Sequence, residues 1–175
     1  HFLNLDDACD IGVLNKGDHG LYSRLINRIT FPIRNHAGKL IGFGGRTTVG
    51  HDAKYVYCPQ TTLFDKSRNL YGLNLAKESI YKKGTMVVTE GYMDVIMMHQ
   101  AGVRTAVATL GTALTGQHIP VIKKTGCRVL LCYDGDKAGR EAAYKASALL
   151  SRNLIDGGVV LFEEGVDPAD LVAEG

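Results

Sequence analysis

From Met86 onward, short continuous apolar runs alternate with longer stretches whose apolar residues recur at helical spacing. The runs predict strands near 86–89, 105–109, 128–133 and 158–162. The spaced stretches predict helices near 92–101, 115–124, 137–155 and 168–173. Apolar strands separated by helices imply a mostly parallel sheet covered on both faces. In the 137–155 helix, Ala138, Ala142, Ala146, Leu149 and Leu150 form the apolar stripe, and the small alanines predict close approach to the sheet.

Before Met86 the rhythm differs. Asn4 suits the cap of a short helix over 3–14, and 15–20 reads as a loop. Arg28–Arg34 and Lys39–Arg46 predict the arms of a β-hairpin, with Asn35-His36-Ala37-Gly38 as its turn. Pro32 offers no amide donor and so belongs to an edge or a bulge. Gly42, Gly44 and Gly45 would let another backbone approach. They are not a dinucleotide fingerprint, because Thr47 stands where a third glycine is needed. A short strand is expected over 54–58 and a helix over 70–83, closed by Gly84. The chain thus divides into a small mixed α+β lobe over 1–84 and an α/β domain over 85–175.

With 45% hydrophobic and 22% charged residues in 175, the composition is that of an ordinary globular protein. No apolar run is long enough for a bilayer, so no membrane association is expected. The start has neither a leader pattern nor a methionine, which suggests a piece of a longer chain. Four scattered cysteines with no C-x-x-C pair suit a reducing cytoplasm. The six histidines are dispersed as surface or packing residues and give zinc no support. Charge is uneven: residues 1–85 carry +5 and residues 86–175 carry −3, giving the net +2. From Arg24 to Arg68 there are 8 basic residues and 2 acidic ones, which points to a phosphate-rich partner.

The acids of the second half are placed by the strands. Met86–Thr89 ends on Glu90, with Asp94 in the first turn of the following helix; Arg128–Tyr133 ends on Asp134-Gly135-Asp136. Ligands of an open α/β sheet bind at the carboxyl ends of its strands. Four acids gathered there repel one another unless cations bridge them, and Mg²⁺ prefers carboxylate oxygens. Arg140 stands close enough in the chain to neutralise Asp136. A further acid, Asp167, precedes Pro168, where it also suits a helix cap. A calcium EF-hand starting at Asp134 fails, because its fifth and twelfth positions are Ala138 and Lys145.

Glu90 followed by the Asp134/Asp136 pair resembles the TOPRIM domain of primases, topoisomerases and some nucleases. Longer blocks resemble the catalytic core of DnaG-type bacterial primases: RITFPIRNHAGKLIGFGGR (28–46), LFDKSRNLYGL (63–73), VVTEGYMDVIMMHQAGV (87–103), ATLGTALT (108–115), YDGDKAGREAA (133–143) and DPADLV (167–172). The resemblance implies a Rossmann-like, mostly parallel TOPRIM sheet flanked by helices. It implies DNA-directed synthesis of short RNA primers on single-stranded DNA from ribonucleoside triphosphates, with Mg²⁺ or Mn²⁺. Glu90, Asp134 and Asp136 match the catalytic metal positions, with Asp94 and Asp167 as supporting ligands. Arg28, Arg46, Lys54 and Lys66 match positions that meet template or nucleotide phosphates. Zinc and the replicative helicase belong, in the family, to regions this chain lacks. The alternatives are a topoisomerase- or nuclease-like TOPRIM enzyme and a non-catalytic DNA-binding TOPRIM module.

Overall fold

The computed structural model describes residues 4–50 and 53–163. They form two compact units, His1–Asp65 and Lys66–Gly175.

The first unit opens with helix α1 (Leu5–Asp10), whose cap Asn4 accepts the Asp6 amide at 3.0 Å. Strands β1 (Asn15–Gly17) and β2 (Gly20–Tyr22) then pair antiparallel where the sequence predicts a loop. None of their side chains is buried, so no apolar alternation marks them in the sequence. The expected hairpin forms from β3 (Arg28–Arg34) and β4 (Leu40–Thr47), and β5 (Tyr55–Tyr57) joins as the third strand. The order is β3-β4-β5, so Pro32 lies on an edge strand, one residue before a register shift between Ile33 and Arg34. The Asn35 carboxamide fastens the turn by accepting the Ala37 and Lys39 amides. Gly42 and Gly45 of β4 are approached by side chains rather than by a backbone. A Cβ on Gly45 would stand 2.8 Å from Leu25 Cδ2, and one on Gly42 would strike the Cys58 sulfur.

The second unit alternates helices and strands: α2 (Leu73–Lys83), β6 (Thr85–Thr89), α3 (Tyr92–Gln100), β7 (Ala106–Ala108), α4 (Ile119–Lys123), β8 (Arg128–Cys132), α5 (Lys137–Arg152) and β9 (Gly157–Val160). The strands form one parallel sheet in the order β7-β6-β8-β9. On one face α2, α4 and α5 pack over Met86, Val88, Val107, Val129 and Leu131. On the other, Met98 of α3 meets Val87, Ala106 and Cys132. Fully burying each such aliphatic side chain contributes about 1.5–3 kcal/mol.

Packing assigns α2 to this unit, since Leu73, Ala76 and Ile80 lie in the sheet's core. The compact units therefore divide after Asp65, earlier in the chain than the rhythm change at Met86 suggests. Helix α5 also buries a stripe one step round from the expected one. Gly139, Ala143, Ala146 and Leu150 face the core, Ala142 and Leu149 flank it, and Ala138 is exposed. The close approach belongs to Gly139, where any Cβ would collide with the backbone carbonyl of Asp134. The helix expected over 115–124 begins later, at Ile119, because His118 staples the preceding turn. Fully buried, its Nδ1 accepts the Thr115 amide at 3.0 Å, which leaves Nε2–H to donate to the Lys66 carbonyl at 3.0 Å. The helix expected over 168–173 lies outside the described residues.

Candidate functional site

Strands β6 and β8 are neighbours, with Val88 opposite Leu131. Their carboxyl ends therefore leave the sheet side by side, although 44 residues separate Glu90 from Asp134 in the chain. Glu90 Oε1 accepts the Asp134 amide at 3.4 Å, a long bond that joins the two acidic turns. The turn after Glu90 is fixed from below by Thr89. Its buried hydroxyl lies 3.3 Å from the Val107 carbonyl and 3.4 Å from that of Gly91, sharing one proton between them.

Asp94 and Asp136 both face helix N-termini. Asp94 Oδ2 accepts the Gly91 amide at 3.0 Å, closing the first turn of α3. Asp136 Oδ1 accepts the Gly139 amide at 2.7 Å and caps α5. These bonds satisfy amides that have no partner inside the helix. They also turn the positive ends of two helix dipoles toward the acids, which lowers the cost of gathering negative charge. Arg140 does not serve Asp136 directly. Its Nε donates to the Gly135 carbonyl at 2.8 Å and Nη2 donates to the Phe162 carbonyl at 3.2 Å, bracing the acidic loop against the chain after β9.

The electrostatics follow from this gathering. Burial raises the Glu90 carboxyl above its ordinary value and the Asp134 charge raises it further; the Asp134 amide opposes the rise and Asp136 adds to it. Burial pushes the neighbouring Cys132 thiol up to about 11, so it stays protonated and chemically quiet. Burial, and then the charge of Glu90, also raises the Tyr133 hydroxyl.

Glu90, Asp134 and Asp136 fit a hard divalent cation by donor type and by charge: all donors are oxygens, and the charges of Asp134 and Asp136 both raise the Glu90 carboxyl. As the side chains stand, no three His, Cys, Asp or Glu residues among those described are close enough together to grip one ion. Asp167 lies outside the described residues.

Of the expected phosphate-binding residues, Arg28 and Arg46 lie on the antiparallel sheet of the first unit, and Lys54 stands just before its strand β5. Arg46 pairs in register with Tyr55, and the Arg46 guanidinium and Lys54 ammonium lie 5.8 and 5.6 Å from the Tyr55 ring centre. Arg28 Nη1 donates to the Ala53 carbonyl at 2.8 Å, steadying the segment that carries Lys54. Lys66 belongs to the second unit, where its carbonyl is held by His118. Sequence pattern does not single out Thr89, Tyr133, Arg140 or His118 for the parts they play. For Thr89 a signal exists, a polar residue inside an apolar run just before an acid.

A parallel sheet with helices on both faces and acids at the ends of two adjacent central strands defines a Toprim-like domain, and residues 87–172 match that family. Residues 2–77 match the N-terminal domain of the DNA primase catalytic core. The DNA primase of Helicobacter pylori (strain ATCC 700392 / 26695) is 54% identical over 175 residues, covering 99% of this chain and 31% of that protein. A DNA primase domain from Pseudomonas aeruginosa has the same fold, with a TM-score of 0.92 at 40% identity over 99% of this chain and 56% of that one. A DnaG primase catalytic domain bound to single-stranded DNA matches with a TM-score of 0.89 at 38% identity, over 97% of this chain and 54% of that one. The chain belongs to the DnaG-type DNA primases and corresponds to part of their catalytic core. It spans about a third of the length of the curated relatives it matches.

Proposed function

We propose that this chain carries the metal-dependent nucleotidyl-transfer centre of a primase, which builds short RNA primers on single-stranded DNA from ribonucleoside triphosphates. The observation that carries the reading is the adjacency of β6 and β8, which brings Glu90 against Asp134 and holds its carboxyl above its ordinary value. The match of residues 2–77 to a primase-specific domain favours this reading over a topoisomerase, a nuclease or a non-catalytic module.

Glu90, Asp134 and Asp136 would hold Mg²⁺ or Mn²⁺, with Asp94 and Asp167 in support. Bound there, divalent ions supply activation of the primer 3′-oxygen and stabilisation of the departing pyrophosphate. The protein's own part is positional. Thr89 and Arg140 fix the two acidic turns, and the caps on α3 and α5 orient Asp94 and Asp136. Arg28, Arg46, Lys54 and Lys66 would neutralise template and triphosphate phosphates without reading bases. No helix among the described residues is long and apolar enough to cross a membrane. We place the protein in the cytoplasm, in a primosome with the replicative helicase.

The test is template-dependent incorporation of labelled ribonucleotides by the full-length protein. Glu90→Gln and Asp134→Ala are each expected to abolish it, with circular dichroism unchanged. Asp134→Ala should also weaken Mn²⁺ binding, followed by electron paramagnetic resonance, by at least about 100-fold. Undiminished Mn²⁺ binding by that variant would remove the metal assignment.

A further inference from the structure

One polar atom beside the site remains unaccounted for. Tyr133 is 4% exposed, its ring lies in the core beneath α2, α4 and α5, and its hydroxyl has no hydrogen-bond partner. Leaving a buried hydroxyl unmatched is costly, so native structures rarely keep one without a use.

The sheet register says what lies next to it. Residues paired across parallel strands put their side chains on the same face. Val88 is paired with Leu131, and both face the core that holds α2, α4 and α5. Glu90 and Tyr133 are the first residues past the carboxyl ends of these neighbouring strands, and Tyr133 packs into that same core. After burial, the charge of Glu90 is the second cause that raises the Tyr133 hydroxyl. Glu90 is itself poorly held, its contact to the Asp134 amide being a long 3.4 Å. An orphan donor thus stands beside an acceptor that lacks a firm partner.

We propose that Tyr133 is a positioning residue for the metal centre: its hydroxyl donates to the Glu90 carboxylate and fixes the direction in which Glu90 presents its oxygens to a divalent cation. The proposal deepens the metal-site reading and rests on it. A phenol donor suits this role because it is fixed on a packed ring and adds no charge to a site already rich in negative charge. The bond forms when Glu90 leaves its long contact to the Asp134 amide, so binding of a cation and closure of this bond favour one another.

The experiment uses the full-length protein as wild type, Tyr133→Phe, Glu90→Ala and the double variant. Tyr133→Phe keeps the ring and is expected to fold, since it removes only an unmatched polar atom. The first readout is the Mn²⁺ dissociation constant, expected to rise about 10-fold in Tyr133→Phe, in line with the loss of an outer-shell partner. A merely structural hydroxyl would leave it unchanged, and that result overturns the proposal. The second readout is the thermal midpoint of all four proteins in saturating Mn²⁺ and in chelator. In saturating Mn²⁺, Tyr133→Phe should lower the midpoint when Glu90 is present and leave it unchanged or raised in the Glu90→Ala background. In chelator, where the hydroxyl is unmatched, it should leave both unchanged or raised. Additive shifts under both conditions overturn the proposal. If wild type fails to bind Mn²⁺, the metal reading falls and this proposal falls with it; if wild type binds Mn²⁺ and Tyr133→Phe binds it equally well, the proposal alone falls.

Discussion

Glu90 is destabilised by the company the fold gives it, and that has a measurable sign. A carboxyl raised in the folded state contributes stability below its ordinary value of 4.5, and that contribution is lost as pH rises through the raised folded value. In chelator at neutral pH, Glu90→Gln should therefore melt above wild type. The difference should vanish as the buffer is taken below pH 4.5. Saturating Mn²⁺ should reverse the order, because only wild type gains binding energy. Asp136 separates two roles differently. Asp136→Asn keeps an oxygen for the Gly139 amide, whereas Asp136→Ala loses cap and charge together. Chemical denaturation should find the alanine variant about 1 kcal/mol the less stable of the two, with Mn²⁺ affinity reduced in both. The acids were legible in the sequence because each ends an apolar run or opens a helix. Arg140 was legible as a basic neighbour of Asp136, but its actual bonds were not. They go to the carbonyls of Gly135 and Phe162, and main-chain oxygens have no letter in a sequence.

At the scale of elements, α5 is set against the acidic loop by Gly139 rather than by its alanines. The two candidate stripes share Ala146 and Leu150 and part at the first two turns, and both satisfy a period of 3.6. What chose between them is the contact of Gly139 with the Asp134 backbone five residues earlier, which the helical period does not encode. Gly139→Ala is expected to destabilise the protein by about 1–3 kcal/mol, because the neighbour is backbone and cannot rotate away. It should also weaken Mn²⁺ binding, whereas Ala138→Ser on the exposed side should change neither, as denaturation and titration will show. The sheet was readable because β6, β7 and β8 are continuous apolar runs. The β1–β2 hairpin was not, since its residues face water and carry no periodic pattern. His118 is intermediate: packing was the expected role of the histidines, but its two bonds join Thr115 to Lys66 across a span of sequence that no local pattern connects. His118→Ala should cost roughly 2–4 kcal/mol in chemical denaturation, by cavity and by stranded partners.

Across the whole molecule, charge and packing divide the chain at different places. The cationic stretch runs from Arg24 to Arg68, past the last residue of the first compact unit, Asp65. The matched family regions, 2–77 and 87–172, bracket α2's end, while packing gives α2 to the parallel sheet. The family matches and compactness thus set different borders. The charge asymmetry leads to a measurement: Arg46→Ala and Lys66→Ala should each weaken single-strand binding and flatten the dependence of log affinity on log salt by about one. Equal slopes for wild type and variants would remove those residues from the phosphate contacts.

The strand order β7-β6-β8-β9 also sets a timetable for a chain leaving the ribosome. Synthesis delivers β6 and β7 first, and these can pair while one flank of β6 stays open. The acid at the end of β6 then waits for a strand not yet translated. When β8 emerges it fills that flank and brings the second acidic turn beside Glu90, leaving β9 to add at its far side. A nascent polypeptide stalled before Cys127 therefore leaves one flank of β6 unpaired, with Glu90 apart from the turn it meets in the finished fold.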